Sequence, residues 1–159
     1  MGATFRKATI PDVEAIYQLL NYYAEKGLLL PRSKLSLYEN LHAMTVIEDE
    51  GEIVGLGALH ILWEDMAEIR SLAIHPKAVN QGLGKQLVVH LIAESAKLGL
   101  EKVIALTYQV PFFEKLGFEI VQKESLPHKV WKDCMNCSKF PVCDETAMVY
   151  MNQVLQPSA

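Results

Sequence analysis

The chain has 159 residues, half of them hydrophobic, with nine glycines, three cysteines and a formal net charge of −4 at pH 7. This composition excludes the disordered class and predicts one globular domain over residues 1–159 with a buried core. Fifteen Lys and Arg against nineteen Asp and Glu offer no basic surface to nucleic acid or an anionic membrane, and no run approaches the roughly 18 apolar residues of a bilayer span.

The N-terminus "MGATFRKATIPD" lacks the apolar core of a secretory signal, and a soluble cytoplasmic protein is expected. "TFRK" predicts a first strand, and Pro11-Asp12 opens a helix that Thr9 or Asp12 can cap. Val13, Ile16, Leu19, Leu20 and Tyr23 fall on one face of that helix, and Gly27 ends it. "LLLPRSKLSLYENLHA" reads as a loop and a second helix, with Ser33 or Ser36 as its cap. Three β-rich runs follow. Asp49-Glu50-Gly51 joins the first two as a hairpin, and Trp63-Glu64-Asp65 makes the next turn. "AEIRSLAIHP" is too apolar for a surface strand and stops at His75-Pro76.

"KQLVVHLIAESAKLG" predicts an amphipathic helix with Leu87, Leu91 and Ile92 inward and Gly99 at its close. "KVIALTY" is a strand, "VPFFEKLG" a short helix stopped by Gly117, and "FEIVQKE" a further strand. The last strand lies in the tail "VWKDCMNCSKFPVCDETAMVYMNQVL". The order β-α-α-β-β-β-α-β-α-β-β predicts an α/β fold, a mixed sheet with helices on both faces.

Between the apolar strand and the long helix stands Val79-Asn80-Gln81-Gly82-Leu83-Gly84. Strand, glycine turn and helix start together aim free N–H groups and a positive helix end at an anion. Gly84-Lys85 is followed by Gln86, which breaks the Walker pattern, and Leu87 stands where the dinucleotide pattern needs its last glycine. An ordinary helix-opening turn is the other reading of these residues.

The run "AEIRSLAIHPKAVNQGLGKQLVVHLI" resembles the acetyl-CoA segment of the GCN5-related N-acetyltransferase (GNAT) family, whose pattern is Gln/Arg-x-x-Gly-x-Gly/Ala at a helix start. Gln81, Gly82, Leu83 and Gly84 match it, while Val79 stands where Gln or Arg is usual. "PFFEKLGFE" resembles the family's Phe-Tyr-x-Lys-x-Gly-Phe signature. The resemblance implies a mixed central sheet flanked by helices on both faces, with acetyl-CoA in the splay between the fourth and fifth strands. It implies that Gln81, Gly82, Leu83, Gly84 and Lys85 hold the pyrophosphate, and that the backbone of Leu72, Ala73 and Ile74 pairs with the pantetheine amides. Phe112 and Phe113 belong to the cofactor side, with core packing as a reading that holds alongside.

Acetyl transfer to an amine needs a neutral nitrogen, a route for its proton and an electrophilic thioester. Glu68 is the candidate base, at a position resembling the glutamate of the family's histone-modifying members; pairing with a cation such as Arg70 is the alternative. Strict alternation puts Glu68, Arg70, Leu72 and Ile74 on one face, and so apolar a strand is expected to raise the carboxyl's pKa. Tyr108 is the candidate acid, since Phe113 occupies the family's tyrosine place; core packing is its other reading, and water can protonate the thiolate.

A closer resemblance is to the acetyltransferase domains of N-acetylglutamate synthases. Gly27-Leu28-Leu29, Arg32-Ser33, Leu106-Thr107 and Leu126-Pro127 with Lys129 carry it. It implies L-glutamate as acceptor at the opening of arginine biosynthesis, with Arg32, Lys129 and Arg70 as carboxylate partners. The Arg-x-Ser of the longer synthases has no counterpart in "CDETAMVYM". Another small amine, a protein N-terminus, or a non-catalytic acetyl-CoA-sensing module are the alternatives, and a homodimer is possible on this reading. Cys134, Cys137 and Cys143 with His128 upstream could ligate zinc, but reduced thiols are the reading taken and acyl transfer needs no metal.

Overall fold

The computed structural model describes residues 2–126 and 145–152. Its elements are β1 (Thr4–Lys7), α1 (Val13–Glu25), α2 (Lys34–Glu39), β2 (Met44–Asp49), β3 (Glu52–Trp63), β4 (Met66–Ile74), α3 (Leu83–Lys97), β5 (Lys102–Thr107), α4 (Val110–Glu114), β6 (Glu119–Ile120) and β7 (Thr146–Met151). The order is the predicted one. β6, two residues long, is shorter than "FEIVQKE" suggested. The strands stand in the order β1-β2-β3-β4-β5-β7-β6. β4 and β5 are parallel, and the pairs β1–β2, β2–β3, β5–β7 and β6–β7 are antiparallel. The predicted mixed α/β sheet is present.

The chain forms two compact units, Met1–His60 with Ile69–Leu91 and Ile61–Glu68 with Ile92–Ala159. In the first unit, β3 alternates between two faces. Leu56 and Ala58 face one side, where Val13, Ile16, Leu19 and Leu20 of α1 and Leu37 of α2 pack on them with Val46 and Ala73. On the other side, a Cβ at Gly57 would stand 3.1 Å from Leu91 and 3.2 Å from Leu72 and Leu87. Glycine there lets α3 lie close against the strand. Helices thus cover both faces, as the sequence period predicts.

Local chemistry sets the element ends. Ser33, not Ser36, caps α2, its Oγ accepting from the Ser36 N–H at 3.1 Å. Glu50 and Gly51 both take positive φ, 51° and 80°, which is what a two-residue hairpin turn of the right twist demands. Asp12 is buried at the start of α1, where Oδ2 accepts from the Thr9 N–H (2.7 Å) and hydroxyl (3.0 Å). Arg6 forks onto both Asp12 oxygens, at 2.8 and 2.9 Å.

The Arg6 hydrogen bonds hold the Asp12 carboxyl down at about 2. A depressed carboxylate adds stability above its unfolded pKa, and that stability is lost as pH falls through the folded value. Asp12→Asn should therefore destabilise the protein by about 1–2 kcal/mol at pH 7. Denaturant unfolding of the two proteins should converge between about pH 4 and pH 2. A gap that stays constant over that range would remove the ion pair as its cause.

In the second unit, β5 and β7 pair from Lys102↔Met151 to Thr107↔Thr146. Met66, Ile104, Leu126 and Ala147 form its core with Leu62, Leu106, Val121 and Val149 around them. Asn152 ties α3 to the turn that follows it, its Nδ2 donating to Ser95 Oγ at 2.8 Å and to the Leu100 carbonyl at 2.9 Å.

Candidate active site

β4 ends at Ile74, and the next N–H, of His75, donates to the Val54 carbonyl at 2.7 Å. One turn of 3-10 helix, Pro76–Ala78, leads to the glycine turn. Asn80 (φ 66°) and Gly82 (φ 75°) are both left-handed, with Gln81 between them. Asn is among the few side chains that accept this region, and glycine takes it without strain. The first bond of α3 is from the Gln86 N–H to the Gly82 carbonyl, 3.1 Å. Helix geometry therefore leaves the N–H groups of Leu83, Gly84 and Lys85 without an intrahelical acceptor at the positive end of the helix.

Leu83 is buried and anchors the helix start, while Gln81, Gly82 and Lys85 are exposed and Gly84 is half-buried. A Cβ built on Gly82 meets no atom within 4 Å, so space for a ligand lies over the turn. Val79, at the departure from the family pattern, is also exposed.

The strand before the turn is irregular. Its register with β5 covers Met66↔Lys102, Ala67↔Val103 and Glu68↔Ile104. Three residues on, Ser71 has φ 58°. A left-handed residue inside a strand breaks the two-residue period, as at a β-bulge. This corrects the expectation that Glu68, Arg70, Leu72 and Ile74 share one face. Beyond the break, Leu72 and Ile74 point toward Gly57 and Gly55, and Ala73 joins the α1 cluster. Such a conformation costs about 1–3 kcal/mol and is concentrated at functional sites.

The first unit contains Arg32 and Arg70, both half-buried, the backbone of Leu72, Ala73 and Ile74, and the whole turn from Gln81 to Lys85. The second contains Glu68, Tyr108, Phe112 and Phe113. Glu68 is 6% exposed, a buried carboxyl directly opposite Ile104. Tyr108 is exposed one residue beyond β5. Phe113 is buried in a chain of ring contacts, 5.0 Å from Phe112 and from Phe118, with Phe118 5.5 Å from Tyr150. Lys129, His128, Cys134, Cys137 and Cys143 lie outside the described residues. Sequence reasoning missed Asn80 and Ser71. Asn two before a glycine was a legible sign of the first; the second had none.

A strand end leading into paired left-handed residues and an open helix start is the kind of loop that binds a pyrophosphate through backbone donors. The acetyltransferase (GNAT) family profile matches residues 11–118, and the chain belongs to that family of N-acetyltransferases, which use acetyl-CoA. It is 36% identical over 144 residues to an uncharacterized N-acetyltransferase of Chlorobaculum tepidum, covering 91% of this chain and 93% of the relative. It is also 36% identical over 131 residues to the amino-acid acetyltransferase of Mycobacterium tuberculosis, covering 80% of this chain and 75% of that protein.

Among solved structures, the N-acetylglutamate synthase of Neisseria gonorrhoeae, complexed with coenzyme A and N-acetyl-glutamate, superposes with a TM-score of 0.86 at 26% identity. That match covers 95% of this chain and 35% of the synthase chain. The predicted fold and family are therefore met. Among the described residues no helix is long and apolar enough to cross a membrane, and no three His, Cys, Asp or Glu side chains group to hold a metal.

Proposed function

We propose that the protein transfers the acetyl group of acetyl-CoA to the α-amine of L-glutamate, the reaction that opens arginine biosynthesis. The likeness to an amino-acid acetyltransferase over three quarters of that protein's length carries this reading. The pyrophosphate rests on the N–H groups at the start of α3, and the pantetheine amides pair with Leu72, Ala73 and Ile74 as an added strand would. Glu68 takes the amine proton, directly or through one water, as nitrogen attacks the thioester carbonyl. A β4 backbone N–H meets the oxyanion; the thiolate then leaves and is protonated by Tyr108 or water.

Glutamate carries two carboxylates, and a guanidinium meets one through two parallel hydrogen bonds that an ammonium cannot copy. Arg32, on the segment between α1 and α2, is the first partner, with Arg70 and Lys129 as further ones. Arg32→Lys should raise the glutamate KM by roughly ten- to a hundredfold, with the acetyl-CoA KM barely changed. Thiol release measured with acetyl-CoA and a panel of amino acids tests the reading, with glutamate expected far ahead of glutamine. Equal turnover of the two would remove the need for a second carboxylate. Acetylation of neither would favour a different amine or a protein N-terminus.

A further inference from the structure

The Tyr23 hydroxyl donates to the Ile74 carbonyl at 2.5 Å, across 51 residues of sequence. The two groups of one trans amide point to opposite sides. The His75 N–H donates to Val54 of β3, so the Ile74 carbonyl on that amide faces away from β3. It therefore lies along the edge of β4 whose register with β5 ends at Glu68. The same tyrosine closes α1: its own carbonyl accepts from the Lys26 N–H (3.2 Å) and the Leu28 N–H (3.1 Å) around Gly27, φ 73°. The segment that carries Arg32 begins there. One residue thus holds both the last carbonyl of β4 and the helix end that leads to Arg32.

We propose that Tyr23 is a positioning residue for acetyl-CoA, its hydroxyl fixing the free-edge carbonyl of Ile74 and so setting where the pantetheine arm stops pairing with β4. This rests on the reading of Leu72, Ala73 and Ile74 as the pantetheine strand. The phenol takes one of that carbonyl's two lone pairs and holds its direction, so the added ladder ends at that oxygen and the remaining backbone groups of Leu72, Ala73 and Ile74 are left to the arm. Burial, with a smaller contribution from Tyr22, raises the phenol above its ordinary range, so the hydroxyl stays a donor at any working pH. Tyr22, next to it and exposed, packs edge to face with it and makes no such bond to β4.

Tyr23→Phe keeps the ring and removes only the hydroxyl. Calorimetric titration of the whole chain with CoA, together with steady-state kinetics, should show the CoA Kd and the acetyl-CoA KM rising about three- to tenfold. The kcat should stay within about twofold, and Tyr22→Phe should match the parent in both assays. A Tyr23→Phe protein with a lowered thermal midpoint but unchanged CoA affinity would overturn the proposal, as would a fall in kcat with KM unmoved. CoA titration contains no acceptor, so failure of glutamate as substrate leaves the expected result intact. A parent chain that does not bind CoA would overturn the pantetheine reading and this inference with it.

Discussion

Replacing Glu68 by Gln should lower turnover by about 10²–10⁴-fold while acetyl-CoA affinity stays close to the parent's. The side chain is buried, at the last position where β4 pairs with β5. Glutamine fills the same volume and keeps hydrogen-bonding capacity, so the strand should hold its place. What it cannot do is accept a proton. An α-amine is mostly protonated at neutral pH and must lose that charge before it can attack. The rate of the parent should therefore rise with pH along a limb set by the base, and that limb should flatten in the variant. A pH–rate profile of unchanged shape, or turnover within a few-fold of the parent, would remove Glu68 from the chemistry. Circular dichroism and CoA titration of the variant separate a lost proton acceptor from a misfolded strand.

The parts of this molecule that were legible in the sequence are those decided by neighbours along the chain. Pro11, Gly27, Ser33, Asp49-Glu50-Gly51 and Gly99 mark ends of elements because they act through local backbone geometry or short-range hydrogen bonds. The inward face of α1 was readable because Val13, Ile16, Leu19 and Leu20 recur at helical spacing, and all four are buried. The glycine turn was readable as a helix-opening loop with free N–H groups, and the pyrophosphate it would hold is what the family resemblance proposes.

Three features depend on contacts across the chain. The left-handed Ser71 lies three residues past the last pair of β4 with β5, and nothing in "EIRSLAI" marks it. On the proposed mechanism, this break in period re-aims the backbone groups that the thioester would meet. The bond from Tyr23 to Ile74 spans 51 residues, and the helical pattern showed only that Tyr23 lies on the inner face. The place of Phe113 in a run of edge-to-face and tilted rings needs α4 and β7 to meet before Phe118 and Tyr150 can complete it. In each case a residue type that was unremarkable in sequence acquires its role from the fold.

Gly82→Asp should weaken CoA binding by roughly a hundredfold or more, the consequence of setting a carboxylate beside a pyrophosphate in a cradle built for one anion. The choice of substitution matters because glycine at φ 75° leaves two explanations for any loss. A side chain there could strain the turn, or it could intrude on the ligand. Asp and Asn both tolerate the left-handed region better than other side chains, and a Cβ at this position meets no atom of the protein within 4 Å. The folded turn should therefore survive either replacement, with thermal midpoints close to one another. Gly82→Asn carries nearly the same bulk without the charge and should lose clearly less affinity than Gly82→Asp. The difference between them is the electrostatic part, and it should shrink as ionic strength rises from about 0.01 to 1 M, because salt screens exposed charges. Equal losses for Asn and Asp would assign the effect to bulk alone. CoA affinity unchanged in Gly82→Asp would mean that the pyrophosphate rests elsewhere than on the start of α3.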